Sequence, residues 1–297
     1  VMQFSWRNQG VAIKVALFLQ HQGFSKRLLQ QLKYHGQTWI NGQPCRLIDQ
    51  LPASAQIQIK LPAESGDPLA ALSSQPLNIL YETADWLVLN KPANVASVPG
   101  PQTGTDTIVS RVRGYLLRQH SENVVPHLMS RLDYGTSGVL LVAKHAFAQS
   151  RATTSDSLMR EKIYLALVAG TVKAEHGMIS LPIGRRSDQI AGIIDLAGKT
   201  ARTEFWRQAY LPELDATLLK VSLHTGRRHQ IRIHCQAIGH PSLGDSLYGG
   251  PMNLEIQRPA LHAWQLIFND PFTQRKQKIT APLPTDLQNL LKSKHSQ

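Results

Sequence analysis

SRLDYGTSGVLLVAK, running from Ser130 to Lys144, places an acid beside a base in a polar, Gly-rich loop that opens into an apolar run. Val139 to Ala143 are branched or aliphatic, with Gly138 before them and Lys144 after, and so predict a short buried strand. Tyr134 to Gly138 are turn residues. Asp133 therefore stands at the rim of something buried, held by a tight loop. A lone aspartate in such a place is more often a loop-capping carboxylate than a reactive one. The rest of the chain has to decide between the two.

From Leu77 onward, strand-like runs (NILYE, WLVLNKP, KIYLALVAG, ATLLKVSLH) alternate with helical segments such as DTIVSRVRGYLLRQ. This mixture predicts an α+β domain over residues 77–297, built on a mixed, largely antiparallel sheet. Ahead of it, PAESGDPLAALSSQP is rich in Pro, Ser, Gly and Ala and reads as a linker over residues 63–76. Residues 11–62 predict a small N-terminal α/β module. VAIKVALFLQHQG has helical apolar spacing and stops at Gly23, and SKRLLQQLKYHG starts at the N-cap Ser25 and stops at Gly36. Asn41-Gly42 signals a hairpin, and AQIQIKLP alternates as a half-buried strand should. Lys14, Lys26, Arg27 and Lys33 make this module basic, which a plain solvated surface would explain as well.

The 297 residues include 32 Lys and Arg against 20 Asp and Glu, a formal net charge of +12. The excess is scattered and not confined to one amphipathic helix, so it points to nucleic acid before membrane. The two cysteines, Cys45 and Cys235, lie far apart and imply no disulfide framework, which fits a reducing compartment. No apolar stretch approaches the ~20 residues needed to span a bilayer. VMQFSWRNQG has no signal-peptide core, and the expectation is a cytoplasmic protein without membrane attachment.

Two further segments carry candidate chemistry. In REKIYLALVAGTV, Tyr164 lies on a strand apolar on both faces, hence central; a plain core tyrosine is the bland alternative. In HTGRRHQIRIHCQAIGHPSLGDSLYGG, residues 229–238 have helical spacing and end at Gly239 and Pro241. Arg232 then falls in the first helical turn, where the helix dipole disfavours a cation, so a facing carboxylate is expected and Asp133 is the candidate. Arg227 and Arg228 after Gly226 are either a phosphate clamp or solvated charge. His224, His229, His234, His240 and Cys235 invite a zinc reading. The i, i+4 and CxxC ligand pairs are both absent, so no metal is expected. Neither GxxxxGK[ST] nor a strand-following GxGxxG occurs, so no nucleotide cofactor is expected either.

These segments together resemble the RluA family of pseudouridine synthases, from LVLNKPANVASVPG to RPALHAWQLIFNDPFT, with RLDYGTSGVLLVAK, KIYLALVAG, GKTARTEF, TGRRHQIRIHCQAIGHPSLGDSLYGG and ALHA in the family's order. FSKRLLQQLKYHGQTWINGQ resembles the α-L RNA-binding motif of a small-subunit ribosomal protein. The resemblance implies an isomerase acting on uridine in folded RNA, ribosomal before transfer RNA, working as a monomer without cofactor. It implies Asp133 as catalytic aspartate, Tyr164 as the tyrosine near the target base, and Arg232 as the ion-pair partner of Asp133. Arg131 matches the arginine that helps displace the target nucleotide, and Leu261 an apolar wall of the pocket. Arg227 is expected to bind substrate, and Lys26 and Arg27 to touch RNA through the N-terminal module. Ser130 stands where a histidine is common, and Gly135 where an acid is common, departures that bear on which RNA fits.

The residue types suit the reaction. Isomerisation detaches uracil from ribose at nitrogen, turns it, and rejoins it through carbon-5, with no redox change. A carboxylate nucleophile can add to the sugar carbon or to the uracil ring. In a dry pocket desolvation raises its pKa, and a paired Arg232 opposes that rise. A base inside folded RNA must first be flipped out. Two other classes compete: a non-catalytic RNA-binding or ribosome-assembly factor, which has no need of Asp133, Tyr164 and Arg232 together, and a metal-dependent RNA-processing enzyme, which lacks its ligands here.

Overall fold

The computed structural model describes residues 2–101, 103–154, 159–185, 191–252 and 256–292. The N-terminal sheet contains β1 (Gln3–Arg7), β2 (Gln37–Ile40), β3 (Gln43–Pro44) and β4 (Gln56–Lys60), in the antiparallel order β1-β4-β2-β3. Helices α1 (Val15–His21) and α2 (Lys26–His35) precede β2. The Ser25 hydroxyl caps α2 by accepting from the Leu28 amide at 3.3 Å. Leu28, Leu29 and Leu32 turn inward, while Lys26, Arg27 and Lys33 stay exposed. Between β2 and β3, Asn41 (φ 47°) and Gly42 (φ 81°) form the expected two-residue turn, whose positive φ values match strand twist.

Two boundaries differ from the sequence expectation. β1 pairs along the whole of β4, so the N-terminal sheet takes in residues ahead of position 11. Helix α1 begins at Val15 and not Val11, because Ile13 and Lys14 pair as a short strand with Leu51 and Gln50. The stretch 63–76 holds no regular strand or helix, yet it is fastened at several points. The Glu64 carboxylate accepts from the Ala146 amide (2.6 Å) and contacts His127 (3.0 Å). The Arg113 guanidinium donates to the carbonyls of Asp67 and Ala70, and the Ser73 hydroxyl to Asp106.

The large sheet is built on β5 (Ile79–Glu82), β6 (Trp86–Lys91), β7 (Ser137–Ala143), β8 (Met159–Ala169), β9 (His176–Ile179), β10 (Thr203–Leu211), β11 (Ala216–Leu223), β12 (Leu261–Asn269) and β13 (Lys276–Thr280). Its order is β9-β10-β11-β8-β12-β7-β6-β5, with β13 on β12 and residues His127–Leu128 on β7. Every named pairing is antiparallel except β7 with β12, which run parallel over Ser137–His262 and Gly138–Ala263 and then part. This is the expected mixed, largely antiparallel α+β sheet. The main core joins Leu89, Leu140, Val142, Ala166 and Val221 to Val112 and Leu116 of α3 (Ile108–Arg118) and to Ile231 and Cys235 of α5 (Gln230–Ala237). Phe147 of α4 (Ala146–Thr154) leaves this domain and enters the N-terminal core, its ring 4.5 Å from Phe4 and 4.6 Å from Phe24.

Candidate active site

Residues 132–136 join no strand, so their backbone groups need partners elsewhere. The Leu132 carbonyl accepts from the Ser97 hydroxyl (2.7 Å), and the Asp133 carbonyl from the Thr136 amide (3.1 Å). The Tyr134 carbonyl accepts from the Asn94 amide (2.8 Å) and from Lys91 Nζ (3.3 Å). The Gly135 carbonyl accepts from Arg258 Nη1 (3.0 Å). The loop is thus held by its carbonyls, and among the described residues the Asp133 carboxylate accepts no hydrogen bond that would hold it. That observation sets aside the loop-capping reading. At the loop's end Gly138 (φ 112°) lies so close to β12 that a Cβ would meet the Ala263 oxygen at 2.1 Å.

The Asp133 side chain is a quarter exposed and faces a guanidinium and an imidazole, Arg232 Nη1 at 3.7 Å and His229 Nε2 at 3.9 Å. Neither contact is a hydrogen bond. The rim is open to solvent, not the dry pocket expected. Arg232 does sit in the first turn of α5, as the spacing predicts. Its two-pronged partner, however, is Asp245, reached from Nε at 2.6 Å and Nη2 at 2.7 Å. Asp133 is the outer, longer contact of a triad whose inner acid is fully buried. Burial works to lower the Arg232 pKa, but the Asp245 bonds outweigh it and raise it. Asp245 was missed because it lies beyond the helix in a turn built on Gly239 and Gly244. A Cβ at Gly244 would meet the Arg258 oxygen at 2.2 Å.

His229 begins α5 in a left-handed conformation (φ 56°), with Nδ1 2.9 Å from the Tyr248 hydroxyl. Burial lowers its pKa, and Asp133 opposes this only in part, which favours neutral imidazole at pH 7. The Tyr248 ring stacks under the Arg232 guanidinium at 4.8 Å. Tyr164 lies in the centre of the sheet, where β8 runs between β11 and β12, and its phenol is pushed above its ordinary pKa by burial and then by Asp133. Leu261 is 3% exposed and belongs to the same apolar cluster as Tyr164.

Arg131 is exposed beside the loop, and Arg227 is exposed with Nε tethered to the Thr200 carbonyl at 2.9 Å. Lys26 and Arg27 lie on the N-terminal module and not in this site. Among the described residues, no group of three His, Cys, Asp or Glu side chains is disposed to hold a metal. The histidines of the zinc reading are bonded elsewhere: His224 to Glu204, His234 to Thr203 and the Leu181 carbonyl, His240 to the Ala169 carbonyl. The sequence reading also missed Lys91 and Arg258, which pin the loop. Lys91 is 0% exposed, and burial pulls its ammonium down to about 7. A lysine closing the apolar run WLVLN was the available signal.

Residues 85–237, which include Asp133, Tyr164 and Arg232, match the family of RNA pseudouridylate synthases. The chain belongs to that family. An uncharacterized RNA pseudouridine synthase of Bacillus subtilis (strain 168), YjbO, is 36% identical over 277 residues, covering 92% of this chain and 96% of that one. An uncharacterized RNA pseudouridine synthase of Aquifex aeolicus (strain VF5) is 32% identical over 254 residues, covering 84% of this chain and 80% of that protein. Among solved structures, human RNA pseudouridylate synthase domain containing 1 superposes with a TM-score of 0.57 at 26% identity, covering 76% of this chain and 97% of that one. This RNA pseudouridine synthase is therefore an isomerase with the family's sheet and an added strand-rich N-terminal module. None of its described helices is long and apolar enough to cross a membrane.

Proposed function

We propose that the chain isomerises chosen uridines of structured RNA to pseudouridine, with Asp133 as nucleophile. The observation that carries this is a carboxylate fixed through its own backbone, free of hydrogen bonds among the described residues, and flanked by Arg232 and His229. A nucleophile needs a fixed position and unspent lone pairs, and this loop meets both needs. Arg232, anchored on Asp245, supplies positive potential at the carboxylate without binding it tightly. Tyr164 offers the flipped base an aromatic edge, with Leu261 in the apolar wall behind it. Arg131 and Arg227, exposed beside the site, suit contacts to the displaced nucleotide and to phosphate.

The N-terminal module, with exposed Lys26, Arg27 and Lys33 on its second helix and exposed Lys14 just ahead of its first, is read as an α-L-type RNA-binding domain that favours ribosomal RNA. The net charge of +12 supports a polyanionic partner. A monomeric, cytoplasmic enzyme without cofactor completes the reading. Mapping pseudouridines in total RNA from cells with and without the gene identifies the target. On that RNA, Asp133→Asn is expected to abolish isomerisation while RNA affinity stays within a few-fold. A purified Asp133→Asn protein that converts uridine at the wild-type rate refutes the assignment.

A further inference from the structure

The parallel pairing of β7 with β12 lasts for two residues, after which the strands part. In the gap, beside Tyr164, is a cavity lined by Ser130, Val139, Lys162, Tyr164, Ala263 and Gln265. Lys162 lies two residues before Tyr164 on β8, so strand geometry sets the two side chains about 7 Å apart along one strand. Among the described residues no carboxylate pairs with Lys162, and its depressed pKa has burial as its one cause. Lys162 is half-buried and lines this cavity together with Tyr164.

Several basic groups near the Asp133 loop are already bonded within the fold. Arg232 is held by Asp245, and Arg258 by Asp286 at 2.7 and 2.9 Å. Lys91 donates to the carbonyls of Pro92, Val95 and Tyr134, and His229 is bonded to Tyr248. Holding a desolvated, unpaired ammonium costs stability, and such a group is understandable where a ligand brings the opposite charge.

The reaction brings that charge by either route. If Asp133 bonds to the ribose carbon, the bond to the base nitrogen breaks and its electron pair leaves with the uracil, which becomes an anion. If Asp133 adds to ring carbon-6, the π pair of the carbon-5 to carbon-6 bond moves through carbon-4 onto the carbonyl oxygen. In both cases negative charge develops on the ring's carbonyl oxygens. We propose that Lys162 is a catalytic residue of the isomerisation, its ammonium donating to a uracil carbonyl oxygen and holding the charge that develops there. Gln265 strengthens the assignment. Its amide nitrogen is engaged by Thr280 at 2.9 Å, which leaves its carbonyl oxygen to accept from the ring N3–H, a donor that uracil has and cytosine lacks.

This inference rests on the isomerase reading, and its test is made on an RNA that the wild-type chain converts. Lys162→Met is expected to lower the single-turnover rate at saturating RNA by about 100-fold or more, as loss of one charge-stabilising donor does. RNA affinity should stay within about twofold, and the melting temperature should hold or rise because a buried charge is gone. Lys162→Arg, which keeps the charge, should be about tenfold faster than Lys162→Met. A Lys162→Met rate within threefold of wild type overturns the proposal. So does a defect that vanishes at saturating RNA, which marks a phosphate contact, and so do equal rates for the two variants, which mark a requirement for shape. Each of these results leaves the isomerase reading intact, whereas a normal rate for Asp133→Asn removes that reading.

Discussion

Asp245→Asn removes one negative charge at constant shape and strands the Arg232 guanidinium, whose side chain is 8% exposed. Breaking a buried ion pair from one side costs about 3–5 kcal/mol. Two neighbours soften the loss: the Tyr248 ring at 4.8 Å and the Asp133 carboxylate at 3.7 Å. The expected cost is therefore near the lower limit, about 3 kcal/mol. For a domain of this size that corresponds to a fall in melting temperature of roughly 6–12 °C. Arg232 is expected to relieve its isolation by turning toward Asp133, which converts a loose 3.7 Å contact into a tight bond on the proposed nucleophile. A shift of that size should slow single-turnover isomerisation by about 100-fold. Adding Arg232→Met to Asp245→Asn removes the stranded charge, so the double variant should regain at least ~1 kcal/mol over Asp245→Asn while remaining slow. Thermal melts of the three variants, with rates on one RNA, provide the measurement. A loss below about 1 kcal/mol for Asp245→Asn, or a double variant no more stable than the single, refutes the stranded-charge account.

Other consequences concern the loop and the two domains. Gly138→Ala should cost more than about 3 kcal/mol and give little soluble protein, because φ there is 112° and the new Cβ meets the Ala263 oxygen. The folded-state pKa of Lys91, about 7, lies below its ordinary 10.5. The unfolded chain then binds more protons between these values, so stability should climb as pH rises from about 7 toward 10, and Lys91→Met should lack this climb in denaturant titrations. Deleting residues 1–62 should weaken RNA binding and flatten its salt dependence, as lost phosphate contacts require. It also uncovers Phe147, 1% exposed in the full chain, so the shortened protein should be less soluble and Phe147→Ser should restore solubility.

Signals that depend on near neighbours were legible in the sequence. The run Val139–Ala143 gave its strand, Ser25 its helix cap, Asn41-Gly42 its hairpin turn, and the alternation of strand and helix patterns the mixed sheet. Asp133, Tyr164 and Arg232 stood out by residue type and setting, and the structure brings Arg232 and Asp133 within 3.7 Å. What periodicity cannot carry is the partner across the fold. Arg258 reaches Gly135 over 123 residues and Ser97 reaches Leu132 over 35, and no local pattern encodes either contact. Asp245 took the inner place at Arg232 because the turn through Gly244 carries the chain back under the helix. β1 joined the N-terminal sheet because β4 had an edge to fill. The sequence by itself determined which residues were candidates for the chemistry, Asp133, Tyr164 and Arg232 among them. Tertiary packing decided which charges pair, as Arg232 does with Asp245, and which, such as Lys162, have no carboxylate partner among the described residues, because charge pairing depends on distance in space and not on spacing along the chain.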